Sequence, residues 1–337
     1  MKNHVIAYIW DGYLNEVTPE DLAILTHINI AFGLVKDGRV AISHLKGMEE
    51  LARLRAIKPD LKILLSVGGW GAGGFSIAAS TEEGRKLFAQ SALETYNELG
   101  LDGIDIDWEY PCSDSAGIDA SPNDKYTFTL LLAEIRAALP PQAMVTIAVG
   151  SGEYFIEGTE MDKVQQYLDY VQLMTYDMRG GFSGITGHHT NLFQPEGDKK
   201  IYASTEHSVK IFNEAGVPLE KLVIGAALYS RRWHNLACKD NNGLHQPTND
   251  QSVGSFGVGY TKLKDEMLGK NGFVRYWDDS AKAPYTYNGD EFYSFDDEES
   301  VALKCEFLKE KGLLGIMYWE HSCDPKRYLL NAIGGAI

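Results

Sequence analysis

Between Leu101 and Pro111 the chain reads Leu-Asp-Gly-Ile-Asp-Ile-Asp-Trp-Glu-Tyr-Pro, so four acidic side chains fall within eight residues of an otherwise apolar run. Unpaired charge is costly in such surroundings. In an extended strand Asp105, Asp107 and Glu109 project to one face while Ile104, Ile106 and Trp108 project to the other. Three kinds of chemistry fit such a carboxylate ladder. Capping or salt-bridging accounts for one or two acids, but poorly for three on one face. A divalent cation takes hard oxygen ligands and needs more of them than this segment supplies, and no second acidic strand of this kind exists in the sequence. Paired-carboxylate catalysis fits better, because neighbouring like charges raise one another's pKa and keep one carboxyl protonated near neutrality. Glu109, outermost and longest, is the natural proton donor.

Such a ladder needs a frame that holds its strand among others. Short apolar runs alternate with helical patterns along the chain, the sequence form of βα units around a parallel sheet. Eight strands are expected near 4–10, 26–32, 61–67, 101–108, 144–150, 169–176, 222–229 and 313–319. Ser80-Thr81-Glu82-Glu83 reads as a capping box opening a helix to Leu99, stopped by Gly100. Phe128, Leu131, Leu132, Ile135 and Leu139 give a second helix one apolar stripe, ended by Pro140-Pro141. Two last helices follow Asp296-Asp297-Glu298-Glu299 and Asp324-Pro325. The expected fold is an α/β (β/α)8 TIM barrel, whose active sites gather at the C-terminal ends of the strands. From about Asn235 to Tyr287 a Gly-, Asn- and aromatic-rich stretch is too long for a βα connection. The expected domains are a barrel of residues 1–234 and 288–337 and a small α+β insertion, 235–287, after the seventh strand. Tyr260, Trp277, Tyr285 and Tyr287 within it suit either sugar faces or a miniature hydrophobic core.

These residues also show a likeness. Asp102-x-x-Asp105-x-Asp107-x-Glu109, with Trp108 and Tyr110-Pro111, resembles the signature of the family 18 glycoside hydrolases, the chitinase family. Ser66-Val67-Gly68-Gly69-Trp70 is similar to the family's third-strand motif, Gln172-Leu173-Met174-Thr175-Tyr176-Asp177 to its sixth, and Gly315-Ile316-Met317-Tyr318-Trp319 to its eighth. Gly225-Ala226-Ala227-Leu228-Tyr229-Ser230-Arg231 matches the seventh-strand motif, except that Ala227 stands where proline is usual. The insertion resembles one that deepens the substrate groove in a chitinase subfamily.

The resemblance implies substrate-assisted hydrolysis, in which the substrate's N-acetyl group replaces an enzyme nucleophile. It implies Glu109 as general acid and base, Asp107 as holder of the acetamido N–H, Asp105 as its tuning partner and Tyr176 as donor to the acetamido oxygen. Trp319 and Trp70 would stack on pyranose faces. Asp177, Met174, Gln172, Tyr229, Arg231, Tyr110, Ser66, Tyr8 and Phe32 complete the implied substrate-binding set, with Ser66 hydrogen-bonding the Asp105 side. Gly68-Gly69 would leave space for neighbouring chain or sugar. Chitin or N-acetylglucosamine oligosaccharides are the implied substrate, cleaved at β-1,4 bonds with retention. An endo-β-N-acetylglucosaminidase on N-glycans or peptidoglycan needs the same chemistry, and a carbohydrate-binding lectin is a third reading that the presence of Glu109 opposes.

Composition agrees with an enzyme of this kind. The 337 residues carry 47 acidic and 31 basic side chains, a formal charge of −16, which disfavours nucleic acid and anionic membranes as partners. No run of some twenty apolar residues exists to span a bilayer. A strand beginning at His4 leaves no room for a signal peptide, so a cytoplasmic monomer is expected, or a secreted one if a leader was removed. Cys112, Cys238, Cys305 and Cys323 lack metal or disulfide-framework spacing and read as free. His188-His189, without a third convergent ligand, reads as substrate-facing or exposed loop. No cofactor and no metal are expected.

Overall fold

The computed structural model describes residues 3–198, 203–237, 239–248 and 254–337. In chain order its strands are β1 (His4–Trp10), β2 (His27–Lys36), β3 (Arg39–Ala41), β4 (Lys62–Gly68), β5 (Gly103–Asp107), β6 (Met144–Gly150), β7 (Tyr170–Met174), β8 (Leu222–Ala227), β9 (Tyr229–Trp233), β10 (Ser255–Gly259), β11 (Val274–Asp278), β12 (Ala283–Tyr287), β13 (Phe292–Ser294) and β14 (Gly315–Trp319). Eight of them form a closed barrel in the order β1-β14-β8-β7-β6-β5-β4-β2, with β1 also pairing to β2. This is the expected (β/α)8 barrel. β2 runs beyond its expected end to Lys36 because its last residues pair antiparallel with β3. Apolar residues facing outward from the strands account for closure: Ile28, Ile30, Ile63, Leu65, Ile104, Ile106, Val145 and Ile147 are all fully buried.

The chain divides into two compact units. The first comprises Met1–Leu173, Lys210–Val223 and Leu313–Met317, and every barrel strand lies at least partly in it. Its helix Glu82–Leu99 starts one residue later than a capping box on Ser80 requires. Thr81 is the N-cap, accepting from the Gly84 N–H at 3.0 Å, and no reciprocal glutamate bond forms because the third helical position is Gly84. Gly100, at φ 60°, ends the helix in the left-handed conformation that glycine adopts without strain. Helix Asp124–Ala138 buries Phe128, Leu131, Leu132 and Ile135. Phe75 stacks on Trp108 at 5.4 Å between ring centroids and Phe128 meets it edge-on at 5.5 Å, which anchors the segment following β5.

The second unit, Met174–Val209, Ile224–Gly312 and Tyr318–Ile337, holds an antiparallel sheet ordered β10-β9-β13-β12-β11. The span 235–287 supplies β10, β11 and β12, while β9 and β13 flank that span and pair with each other. Cys238 and residues 249–253 lie outside the described residues. Trp233, Leu236, Leu244, Tyr285, Tyr287 and Phe292 form this unit's buried cluster, so Tyr285 and Tyr287 are core residues. Tyr260 is buried too, its hydroxyl donating to Glu298 at 2.6 Å. Helix Glu298–Lys311 opens with a capping box between Asp297 and Ser300 and closes on Gly312.

Candidate active site

The site residues of the first unit centre on β5. Asp105 is fully buried, and both its oxygens are occupied: Oδ2 accepts from Tyr8 at 2.8 Å and Ser66 at 2.7 Å, and Oδ1 from Thr146 at 2.6 Å and Gln172 at 2.9 Å. Four strands, β1, β4, β6 and β7, thus converge on one carboxyl. Parallel pairing sets the heights, with Ser66 and Thr146 both in register with Asp105. Burial still lifts the Asp105 carboxyl above the ordinary carboxylate range, against those four donors.

Asp107, two residues on, is the contrary case. It is 4% exposed, and its Oδ1 has no hydrogen-bond partner among the described residues. Burial, then the charges of Glu109 and Asp105, push its carboxyl well above the ordinary range. Glu109 follows at 9% exposure, beyond the end of the strand. The three carboxyls are therefore inequivalent: one pinned, one unsatisfied and one at the outer end.

Glycines make this crossing possible. At Gly68, φ 125°, a Cβ would stand 2.0 Å from the Asp107 carbonyl oxygen, and at Gly69 it would strike the Phe32 ring at 2.9 Å, while the Gly69 N–H donates to Asp107 O at 2.9 Å. The space these glycines leave is filled by neighbouring backbone and an aromatic ring. Trp70 is 65% exposed and meets Tyr110 edge-on at 6.3 Å; Tyr110 in turn meets Tyr154 at 5.2 Å. Burial, then Glu109 and Tyr154, push the Tyr110 phenol well up. Trp10, 40% exposed, packs edge-on against Phe32.

The site residues of the second unit form their own cluster. Asp177, at φ 54°, accepts from Tyr229 Oη at 2.6 Å and from Arg231 Nε at 2.6 Å on one oxygen, and from the Arg231 Nη2 at 2.5 Å on the other. Burial pulls its carboxyl up, but His189 and the bidentate guanidinium outweigh it and hold the group far below the ordinary range. Tyr176 and Met174 are buried, Tyr176 meeting Tyr229 edge-on at 6.2 Å, and Trp319 is half-buried.

Several expectations change. Ser66 donates to Asp105 as expected, but Ser66, Tyr8 and Gln172, grouped among the substrate-binding side chains, are 0–2% exposed with their polar groups committed to Asp105, Gln172 also accepting from Asn29 at 3.0 Å. Asp105, expected as the tuning partner of Asp107, has both oxygens taken by other donors. Asp102, the fourth acid of the segment and outside the ladder as expected, takes the Ile63 N–H, Lys62 and Arg55, tying β5 to β4 at its start. His188 and His189 are buried, not exposed. His188 pairs with Asp278 at 3.1 Å, and His189 lies 3.5 Å from Asp177, its imidazole pushed down by burial against the pull of that carboxylate. Among the described residues no group of three or more His, Cys, Asp or Glu side chains is placed to hold a metal ion. Thr146 and Asn29 escaped the sequence reading, although Thr146 is the lone polar side chain of its strand and Asn29 stands between two isoleucines, which is the available signal.

Comparison with known proteins agrees with this geometry. The profile of "Glycosyl hydrolases family 18" matches residues 5–324. Chitinase A1 of Niallia circulans is 36% identical over 311 residues, 85% of this chain and 44% of that protein. Chitotriosidase-1 of Mus musculus is 32% identical over 347 residues, 94% of this chain and 71% of that protein. A solved structure described as a glycoside hydrolase family 18 N-acetylglucosaminidase from Paenibacillus barengoltzii superposes over 100% of both chains with a TM-score of 0.97 at 51% identity. With that family match, the barrel that carries a saturated and an unsatisfied carboxyl on β5 and a third just past its end is a glycoside hydrolase. The chain belongs to the glycosyl hydrolases of family 18. It spans less than half of chitinase A1 and about seven-tenths of the mouse relative.

Proposed function

We propose that this enzyme is a chitinase, hydrolysing β-1,4 bonds between N-acetylglucosamine units with retention, and that the substrate's own acetamido group is the nucleophile. The observation that carries this reading is the unpartnered, buried Asp107 Oδ1 between two other carboxyls. An unmade hydrogen bond at a buried acceptor costs about 1–3 kcal/mol, and an amide N–H is a donor that repairs it. In this proposal Glu109 gives its proton to the glycosidic oxygen as the acetamido carbonyl oxygen attacks the anomeric carbon and the leaving sugar departs. Asp107 takes the acetamido N–H, orienting that carbonyl and offsetting the positive charge of the cyclic oxazolinium. Glu109, now a carboxylate, removes a proton from water as its oxygen opens the ring from the same side, so the configuration is retained. Tyr176 donates to the acetamido oxygen, and Trp70 and Trp319 stack on sugar rings. Residues 235–287 as a domain contacting substrate, and a monomeric state, belong to the same proposal.

A second reading, release of single N-acetylglucosamine units from short oligomers, is favoured by the full-length likeness to a structure described as an N-acetylglucosaminidase. Wild-type protein and Glu109→Gln are incubated with N-acetylglucosamine oligomers of defined length and with a high-mannose glycoprotein, and products are read by mass spectrometry. Cleavage of oligomers by wild type alone is expected, with Glu109→Gln still binding them. Unchanged turnover in Glu109→Gln would remove Glu109 from its role. Predominantly monomeric sugar would select the second reading, and released glycans alone would select the endoglycosidase.

A further inference from the structure

Within the second unit a buried ion pair lies apart from the Asp177 cluster and has no part in the chemistry described so far. Lys304, on helix Glu298–Lys311, is 0% exposed and Asp296 is 1% exposed, and the ammonium meets Asp296 Oδ2 at 2.7 Å. Removing two charges from water is expensive, and replacing such a pair by apolar side chains often leaves a fold as stable or more so. The pair does more than neutralise itself. Lys304 Nζ also donates to Thr190 Oγ1 at 2.7 Å, and the Thr190 hydroxyl reaches the Thr175 carbonyl oxygen at 3.1 Å and Asp296 Oδ2 at 2.8 Å. Thr175 is the residue before Tyr176.

The proton count makes Lys304 decisive. Thr190 Oγ1 has one hydrogen and two acceptors within reach, with Asp296 the nearer and the charged one. Asp296 Oδ2 is already served by Lys304 and by the Ala227 N–H at 3.0 Å, and Oδ1 by Ser300 Oγ at 2.7 Å. With Asp296 satisfied and its own lone pair taken by the ammonium, the Thr190 hydroxyl is free to donate to Thr175. The adjoining His189 holds the other side of the same segment, its carbonyl accepting from Met178 N–H at 3.1 Å and its ring from Asp177 N–H at 3.4 Å. Thr175 Oγ1 in turn clasps Gly225, donating to its carbonyl and accepting from its N–H, both at 2.8 Å.

We propose that Lys304, Asp296 and Thr190 form a positioning relay that sets the backbone of Tyr176 and Asp177, and hence the acetamide contact of Tyr176, without touching substrate. The inference rests on the substrate-assisted reading of Tyr176. Thr190→Val keeps the shape and removes the hydroxyl, Thr190→Ser restores it, and Lys304→Met with Asp296→Leu removes both charges together. Thr190→Val should lower kcat on N-acetylglucosamine oligomers on the order of tenfold with KM nearly unchanged, within the ~10²-fold that misplacing a catalytic group by about 1 Å costs. Thr190→Ser should recover most of it; Lys304→Met alone, which leaves Asp296 to claim the Thr190 hydrogen, should show the same fall in kcat, and the apolar double variant, which also removes that competing acceptor, should fold and recover much of it. In a double-mutant cycle Thr190→Val should cost little more once Tyr176→Phe is present, because both act through one hydroxyl. Wild-type kcat in Thr190→Val, or full additivity with Tyr176→Phe, would overturn the relay. If Tyr176→Phe by itself leaves kcat unchanged, it is the substrate-assisted role of Tyr176 that fails.

Discussion

Three carboxyls along one short segment differ because their neighbours differ. Asp105 receives four donors, whereas Asp107 Oδ1 receives none and is left beside two like charges. With its native carboxyl lifted well above 3.8, Asp107 holds a proton in the folded state at pH values where the unfolded chain has lost it. Its contribution to stability is therefore favourable below about pH 4 and is lost as pH rises. Asp107→Asn, neutral at every pH, should raise Tm at pH 7, with the gain shrinking as pH falls toward 4, while lowering kcat by roughly 10²-fold or more. Thermal melts across pH and single-turnover assays check both halves. A lower Tm at pH 7 would contradict the proton assignment. The opposition of the two effects is what a strained functional carboxyl predicts.

At the scale of elements, β4 and β5 approach so closely that glycine is required between them. Gly68→Ala would bring a methyl group against the Asp107 carbonyl and force φ 125° on an L residue. The backbone strain alone is about 1–3 kcal/mol, and relief of the clash must move Asp107. Chemical denaturation should register that loss, and activity in the folded fraction should fall with it. A fully stable and active variant would show that the strands have room to part. The helices are positioned more simply: Thr81 and Asp297 cap their helices locally, so these ends were readable from a few residues each. The exact cap on the first helix was not, since Ser80 and Thr81 are both competent and only the path of the chain selects between them.

Across the whole molecule, the starts of three barrel strands bring together His4, His27 and Tyr170. The His4 and His27 rings are 4.4 Å apart, and each is 5.8 Å from Tyr170. His4 Nδ1, His27 Nε2 and Tyr170 Oη have no hydrogen-bond partner among the described residues. Burial first, then His4, pushes the His27 imidazole down to about 3 from 6.5. A base lowered in the fold contributes stability that is complete above pH 6.5 and is lost as pH falls through about 3. His27→Phe should flatten the dependence of unfolding free energy on pH across that window, where one proton accounts for at most about 1.4 kcal/mol per pH unit. Urea titrations from pH 7 to pH 3 measure it. An unchanged slope would place acid sensitivity elsewhere in the fold.

Much of this enzyme is written locally. Alternation along Ile104–Glu109 tells which carboxyls share a face, and apolar runs at regular spacing tell that there are eight barrel strands, because side-chain period and burial are properties of short segments. The family signature rests on such segments too. Partnership is another matter. That Tyr8, Ser66, Thr146 and Gln172, up to 97 residues from Asp105 in sequence, all spend their hydrogen bonds on it follows from barrel closure and strand register, which no local pattern encodes. The same holds for His188 and His189, whose loop reads as exposed until Asp278 and Asp177 are brought beside it, and for Lys304, a surface residue by type that folding buries on Asp296 and Thr190. Residue chemistry is set by the sequence, but which group is left unsatisfied, and so made reactive, is decided only when distant strands compete for the same acceptors.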